Sequence, residues 1–263
     1  GVPGAVAWQF GDGQAATHSA FVAHAWTTAG TYQVVFTARN ADYPSGVTAS
    51  VSIRILDADQ TATFVSTNSP HPGAPYNAWT NAAHTLQEAV DAQVYFGGRV
   101  WVTNGLYAEG GRTTPGGVSL NRLVITNPVR VASVNGPAVT TIVGQQAADP
   151  TSNVRCVFMS AGRLDGFSLV GGATPAASSQ KDLDLCGGGV NAPGGILSNC
   201  VIAGNQCWED GSWPNCGAYY NCVFSGNVAR SFSGAVDWGV LFDCTVVSNR
   251  VTSTGTFGGG GIG

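Results

Sequence analysis

Apolar and polar residues alternate strictly over residues 31–39, with Tyr32, Val34, Phe36 and Ala38 on one side, and again over residues 47–55, with Val47, Ala49, Val51, Ile53 and Ile55. A period of two puts each set on one face of a pleated strand, so these stretches predict two half-buried strands of an antiparallel sheet. Ahead of them, Phe10-Gly11-Asp12-Gly13 is a turn signal between aromatic residues. A polar bridge from Leu56 to Thr61 then separates this pattern from a new apolar run, which places a first module at residues 1–56, a linker at 57–61 and a second module at 62–263. Within the second module, Pro70 to Tyr76 carries three prolines and reads as a surface loop, because proline removes a backbone donor and fixes φ. Thr85-Leu86-Gln87-Glu88 has the spacing of a capping box. Leu86, Ala89, Val90 and Val94 fall on one face of a helix of about ten residues, the only helix that the pattern predicts.

Beyond that helix, short apolar runs at 99–103, 123–125, 129–133, 141–143 and 154–159 are separated by Gly or Asn. An internal repeat then emerges. Leu197-Ser-Asn-Cys200-Val-Ile202-Ala-Gly-Asn205 is followed 22 residues later by Tyr219-Tyr-Asn-Cys222-Val-Phe224-Ser-Gly-Asn227, and after another 22 by Leu241-Phe-Asp-Cys244-Thr-Val246-Val-Ser-Asn249. Leu164-Asp-Gly-Phe167-Ser-Leu169 fits the same frame if 11 extra residues, near 173–183, precede the next copy. This period is the signature of a parallel β-helix, in which each coil stacks on the last at about 4.8 Å. Cys200, Cys222 and Cys244 then point inward in one column, with Ile202, Phe224 and Val246 in the next. Asn205, Asn227 and Asn249 are expected to stack at a bend, where Asn tolerates a positive φ and its amide bonds to the copies above and below.

The same spacing bears on sulfur. Stacked side chains sit about 4.8 Å apart while a disulfide wants Cβ atoms about 3.8 Å apart, so Cys200, Cys222 and Cys244 are expected to be buried thiols. Cys156, Cys186, Cys207 and Cys216 remain as disulfide candidates. Cys207 with Cys216 is the favoured pair, closing a turn-rich loop of about ten residues, and Cys186 with either loop cysteine is the runner-up.

Two resemblances rest on these residues. Trp8-Gln-Phe10-Gly-Asp-Gly13, His24-Ala-Trp26 and Gly30-Thr-Tyr32-Gln-Val34 follow the order and spacing of the PKD family. That resemblance implies an immunoglobulin-like β-sandwich serving as a spacer or binding module in secreted proteins. Only seven residues precede Trp8, so the sandwich is expected to be N-terminally incomplete. In the second module, Phe224-Ser-Gly-Asn227, Ser233-Gly-Ala-Val236 and Gly260-Gly-Ile262 resemble the motifs of polymorphic outer membrane protein repeats, and residues 64–107 look like the opening cap of bacterial secreted right-handed β-helix proteins. The fold these resemblances imply is all-β, a partial PKD-like sandwich followed by a right-handed parallel β-helix with one short N-terminal capping helix, the β-helix continuing beyond residue 263. Polymorphic outer membrane protein repeats occur in surface-displayed regions with adhesive roles, which implies a secreted or cell-surface location here.

Composition narrows the chemistry. Only 10% of residues are charged, the net charge is −4 and Lys181 is the sole lysine, so no basic cluster marks a nucleic-acid partner. No stretch of 18 apolar residues is present, and no membrane-spanning segment is expected. The four histidines are scattered, none near a CxxC, and neither a metal nor another cofactor is expected. Parallel β-helices also host polysaccharide lyases and glycoside hydrolases, and glycoside hydrolysis needs two carboxylates about 5–9.5 Å apart. In the repeat register Asp165 aligns with Ser198, Tyr220 and Phe242, and Asp243 aligns with Asn199 and Asn221, so neither strand acid gains an acidic neighbour. The other acids lie in loops: Asp182, Asp184, Glu209, Asp210 and Asp237. Aromatic rings stack on sugars, so Trp208, Glu209, Asp210, Trp213, Asp237 and Trp238 form the candidate ligand-binding set. The sequence favours a structural or adhesive segment of a large bacterial surface protein over an enzyme. Its expected partners are glycans, other surface proteins or further copies of the chain.

Overall fold

In a computed structural model, the protein is described at residues 4–57, 61–208, 217–230, 232–236, 239–252 and 258–259. The chain divides into two compact units, residues 1–60 and 61–263. It is all-β apart from a few short helical turns.

The first unit is a four-stranded antiparallel sheet of β1 (Ala5–Gln9), β2 (Ala15–Thr17), β3 (Gly30–Arg39) and β4 (Val47–Ile55), in the order β2-β1-β3-β4. The two alternating stretches of sequence are β3 and β4, paired so that Tyr32 faces Ile53 and Val34 faces Val51. Alternation nevertheless overstates burial on β4, where Val47 and Val51 are each 56% exposed. β4 is an edge strand, and among the described residues its only paired neighbour is β3. Aromatic packing consolidates the turn region. Phe10 stacks on His24 at 3.9 Å, His24 meets Trp26 edge-on at 4.8 Å and Trp26 stacks on Tyr32 at 5.5 Å. Gly11 is required at its place. Its φ is +79°, and a Cβ there would lie 2.8 Å from the Gln33 backbone nitrogen.

The second unit is built from parallel sheets that the chain visits in rotation. The first sheet runs, in order across its seven strands, Val240–Phe242, Ala218–Tyr220, Ile196–Ser198, Arg163–Asp165, Arg130–Ser133, Arg99–Val102 and Thr63–Val65. The second holds six strands, from Thr245–Val247 back to Gly105–Tyr107. A third group comprises a four-stranded sheet from Arg112–Thr113 to Val190–Asn191 and a three-stranded sheet of Gln206–Cys207, Val228–Ala229 and Arg250–Val251. Among the described residues of this unit, neighbouring strands pair in parallel, apart from the short edge strand Arg112–Thr113 on Leu120–Ile125 and an isolated antiparallel bridge between Gln145 and Val154.

Register turns the repeat into a core. Val100, Val131, Leu164, Leu197, Tyr219 and Leu241 are successive Cα partners across the first sheet. Tyr107, Ile142, Leu169, Ile202, Phe224 and Val246 are successive partners across the second. Both columns belong to one hydrophobic core, sealed completely at Val100, Val131, Leu164, Leu197, Ile142 and Leu169. Leu164 pairs with Leu197, and the longer interval between them accommodates an inserted segment.

α1 (Leu86–Asp91) starts on the capping box: Thr85 N–H donates to Glu88 Oε2 at 3.0 Å while Thr85 Oγ1 accepts from Glu88 N–H. It is six residues long, shorter than its apolar spacing predicts, and Val94 lies beyond it, 79% exposed. Gln93 ends the helical path, because its side-chain amide donates to the carbonyls of Thr61 and Arg99. Nor is α1 alone. A second helix, α2 (Lys181–Asp184), occupies the inserted segment, and the expectation of a single helix is corrected accordingly.

Candidate ligand-binding surface

The Asn column is an internal ladder. Asn205 N–H and Nδ2 both donate to Asn227 Oδ1 at 3.0 Å, and Asn227 N–H and Nδ2 donate to Asn249 Oδ1 at 3.0 and 2.9 Å. Each amide also donates to a carbonyl of the preceding pass: Asn205 to Leu169 at 2.9 Å, Asn227 to Ile202 at 2.8 Å and Asn249 to Phe224 at 3.0 Å. The expected positive φ is not at these residues. It falls one position earlier, at Gly171, Gly204, Gly226 and Ser248, and at a second column formed by Gly166, Asn199, Asn221 and Asp243. These two left-handed columns flank the strands Ser168–Val170, Val201–Ala203, Val223–Ser225 and Thr245–Val247 of the second sheet and turn the chain in and out of them. The ladder asparagines themselves are buried at 205 and 227, where paired amides are worth most.

Cys200 and Cys222 are buried thiols in one column. Cys244, in the same column, is a thiol but only half-buried, which corrects the expectation of full burial. Burial raises the Cys200 thiol well above its ordinary range. Cys156 is also a thiol, fully buried, its S–H directed at the Val170 carbonyl 3.4 Å away, and burial pushes its pKa up to about 12. Cys186 is buried and Cys207 lies on the strand Gln206–Cys207 opposite Ala229, whereas Cys216, and with it the favoured Cys207–Cys216 pair, lies outside the described residues.

The acids divide by environment. Asp165 is bound by Arg130 and by Asn199 Nδ2 at 2.7 Å; partial burial opposes its charge, but these partners hold its carboxyl below the usual range. Asp184, expected in a solvated loop, is fully buried. Its carboxylate accepts from Val118 N–H at 2.9 Å, Ser119 N–H at 2.8 Å and Ser178 O–H at 2.6 Å. Burial opposes the charge here too, and the hydrogen bonds outweigh it, leaving the carboxyl lowered. In the first unit, Asp12 accepts from Gln14 N–H at 3.0 Å and faces His24 Nε2 at 2.8 Å, so both its oxygens are used within the turn.

Arg155 is the residue that sequence reasoning missed altogether. It is fully buried, and its guanidinium donates to Asn121 Oδ1 at 2.8 Å, Thr114 Oγ1 at 3.1 Å and the carbonyls of Gly187, Leu183, Asp184 and Cys186 at 2.9 to 3.0 Å. Burial lowers its pKa to about 10, so it stays charged at neutral pH. Arg155 and Asp184 together tie the inserted segment to the strands beneath it. Nothing in the sequence marks Arg155 except its place in an otherwise apolar run.

Of the candidate ligand set, Trp208 is described; Glu209, Asp210, Trp213, Asp237 and Trp238 lie outside the described residues. Trp208 follows the strand Gln206–Cys207, half-buried, with its N–H donating to Thr174 Oγ1 at 2.9 Å. It borders a groove of about 300 Å³ that Arg230 and Arg250 also line, and the Arg230 guanidinium lies 5.8 Å from the Trp208 ring centroid. Both arginines sit in the 22-residue register of Gln206 and Trp208, the signal that could have found them. Among the described residues, no group of three or more His, Cys, Asp and Glu is placed to hold a metal, and no helix is long and apolar enough to cross a membrane.

A family model of the PKD domain matches residues 1–55. No curated protein and no solved structure matches the chain.

Proposed function

We propose that the chain is a structural or adhesive segment of a large bacterial extracellular protein, in which a PKD-like, immunoglobulin-like module at residues 1–56 precedes a right-handed parallel β-helix at residues 62–263. PKD domains typically occur in extracellular proteins, and the match at residues 1–55 supports that setting. The observation that carries the reading is the register of the second unit: parallel strands stacked in step, with the ladder of Asn205, Asn227 and Asn249 continuous through three passes. Such a stack grows by adding passes, each contacting only its neighbours, which suits a rigid extended element and an outer face for binding. We assign that face to glycans.

The chemistry of the acids supports the non-catalytic side of this reading. A glycosidase general acid needs a carboxyl raised towards neutrality. Asp12, Asp149, Asp165 and Asp184 are all shifted the other way, and Asp165 and Asp184 are committed to internal partners. The test pairs two assays on the purified chain. Immobilised on beads, it should retain them on glycan-coated surfaces, and incubated with neutral and acidic polysaccharides it should release neither reducing ends nor unsaturated products. Release of either would overturn the reading in favour of a β-helix lyase or hydrolase.

A further inference from the structure

The outward face of the three-stranded sheet has a composition that nothing above explains. Gln206, Val228 and Arg250 are Cα partners in one column, and Trp208, Arg230 and Thr252, each one residue past its strand, follow at the same 22-residue interval, with Arg230 N–H donating to Cys207 O at 3.2 Å and Thr252 N–H to Ala229 O at 2.9 Å. Because side chains alternate across a strand, these six share one face, while Cys207, Ala229 and Val251 take the other. Ala229 is buried, Arg230 and Arg250 are exposed and Trp208 is half-buried, so the sheet turns its small residues in and its cations out.

Elsewhere the cations of this charge-poor chain are largely committed. Arg112 and Arg130 pair with Asp91 and Asp165, Arg122 donates to the carbonyls of Val143 and Gly110, Arg155 is buried and Arg163 donates to Ser198. Among the described residues, neither Arg230 nor Arg250 has a carboxylate partner, yet both line the groove beside Trp208. They are diagonal neighbours on adjacent strands, on the order of 8 Å apart at Cα from a strand spacing of about 4.8 Å and a rise of about 3.3 Å per residue. Two arginine side chains at that separation, both lining one groove, are long enough to reach a single anion. The Arg230 guanidinium lies over the Trp208 ring, 5.8 Å from its centroid, an exposed cation–π contact at the long end of the range. An anion arriving at Arg230 exchanges a weak exposed cation–π contact for a bidentate charged pair, and the ring then offers its face to an apolar surface.

The geometry points to an acidic-glycan subsite on this face: the Trp208 ring stacks on a sugar ring whose carboxylate or sulfate is held by Arg230 and Arg250, with Gln206 and Thr252 beside them for hydroxyl groups. This rests on reading the chain as a glycan-binding adhesive segment and names the class of glycan. Calorimetric titration of the full chain tests it with an oligogalacturonate (carboxylate alone), a carrageenan oligosaccharide (sulfate alone) and a neutral cello-oligosaccharide. At least one acidic probe should bind about ten-fold or more tighter than the neutral one, weakening as salt rises, and whichever binds identifies the anionic group. R230A, R250A and W208A should each weaken that binding by about ten-fold. R230K, which keeps the charge but loses the planar fork, should fall between R230A and the wild type. If W208A fails to fold, W208F with its smaller ring replaces it and should bind more weakly than the wild type.

Equal binding of neutral and acidic probes, or unchanged affinity in R230A and R250A with a native circular dichroism spectrum, would overturn the subsite. Absence of any binding by a folded wild-type chain overturns the subsite while leaving the structural reading in place. Cleavage of a bound probe overturns the non-catalytic reading and leaves the subsite standing.

Discussion

Replacing Asn227 by Ala removes the middle rung of the buried ladder while changing little else in the repeat. Asn227 Oδ1 is the acceptor for both Asn205 N–H and Asn205 Nδ2, and its Nδ2 donates to Ile202 O and Asn249 Oδ1. Asn205 keeps its bond to Leu169, so the groups left most exposed to loss are the Asn205 N–H and the Ile202 carbonyl, in a region where both residues are 4% exposed. An unsatisfied buried polar group costs about 1–3 kcal/mol, so N227A should lose about 2–5 kcal/mol, a large share of the roughly 5–15 kcal/mol typical of a domain. Urea denaturation followed by circular dichroism reads this as a lower midpoint. The control is N221G: Asn221 is exposed and has φ +52°, which glycine adopts freely, so losing its 2.9 Å bond to Asn199 should change stability by no more than about 0.5 kcal/mol. N227D separates hydrogen bonding from packing. Its carboxylate would face the Ile202 carbonyl and Asn249 Oδ1, so the charged form is disfavoured and the folded-state pKa is raised above about 3.9. With the folded value raised, stability is lost as pH climbs from the unfolded towards the folded pKa. N227D should therefore be weaker than N227A at about pH 7 and close the gap by about pH 4. A loss in N227A no larger than that in N221G, or a gap between N227D and N227A that does not depend on pH, would refute the argument.

Three further outcomes follow from the same structure. R155M removes a donor from Asn121 Oδ1 and from four carbonyls, of which Leu183 and Asp184 keep a second one in Asn191 Nδ2 and Ser119 Oγ, and removing one member of such a buried charged network costs about 3–5 kcal/mol; limited proteolysis with mass mapping should show new cuts between residues 173 and 191, and an unchanged digest would count against the docking role. Burial raises the thiols of Cys156, Cys200 and Cys244 alike, so exposure sets the order: alkylation of the native protein near neutral pH should mark half-buried Cys244 well before buried Cys156 and Cys200, and equal labelling rates would contradict that placement. Asp165 has a lowered folded pKa, so its contribution is complete above the unfolded value near 3.8 and disappears as pH falls through the lower folded one. D165N should accordingly flatten the acid limb of the stability curve below about pH 4, and an acid limb as steep as that of the wild type would show that the Arg130 pair contributes nothing.

What the sequence made legible was periodic. Alternation over residues 31–39 and 47–55 located β3 and β4, and the 22-residue interval located the Cα partners from Leu197 to Val246. Period says nothing of what lies across from a face, which is why Val47 and Val51 read as core on an edge strand that leaves them exposed. It also assigned the left-handed conformation to the wrong member of the Gly-Asn step. Asn can occupy that region, but Gly does so at no cost, so where the two are adjacent the backbone turns at Gly204 and Gly226 and frees the asparagine side chain for the ladder. Arg155 and Asp184 were illegible for a different reason. Each is costly to bury alone, and partners far along the chain, such as Leu183 and Asn121 for Arg155 and Val118 and Ser119 for Asp184, help make their burial possible.

The groove was half legible, and the missing half shows how a repeat should be read for function. Aromatic and acidic residues in the inserted loops drew attention because loops commonly carry binding residues, yet loops have no register from which a neighbour can be inferred. Strand residues do. Once Trp208 is placed two residues after Gln206, the 22-residue interval fixes Arg230 and Thr252 beside it and Arg250 across the diagonal, with no appeal to loop conformation. A ligand surface on this fold is a grid whose rows are strands and whose columns are residues one period apart. A column in which Gln206 and Val228 give way to Arg250, or Trp208 to Arg230 and Thr252, departs from the sameness seen in the Asn ladder. Stacking demands that sameness only of the residues facing in. The outward columns are free to vary, and the proposed subsite draws its residues from the outward positions that break the repeat.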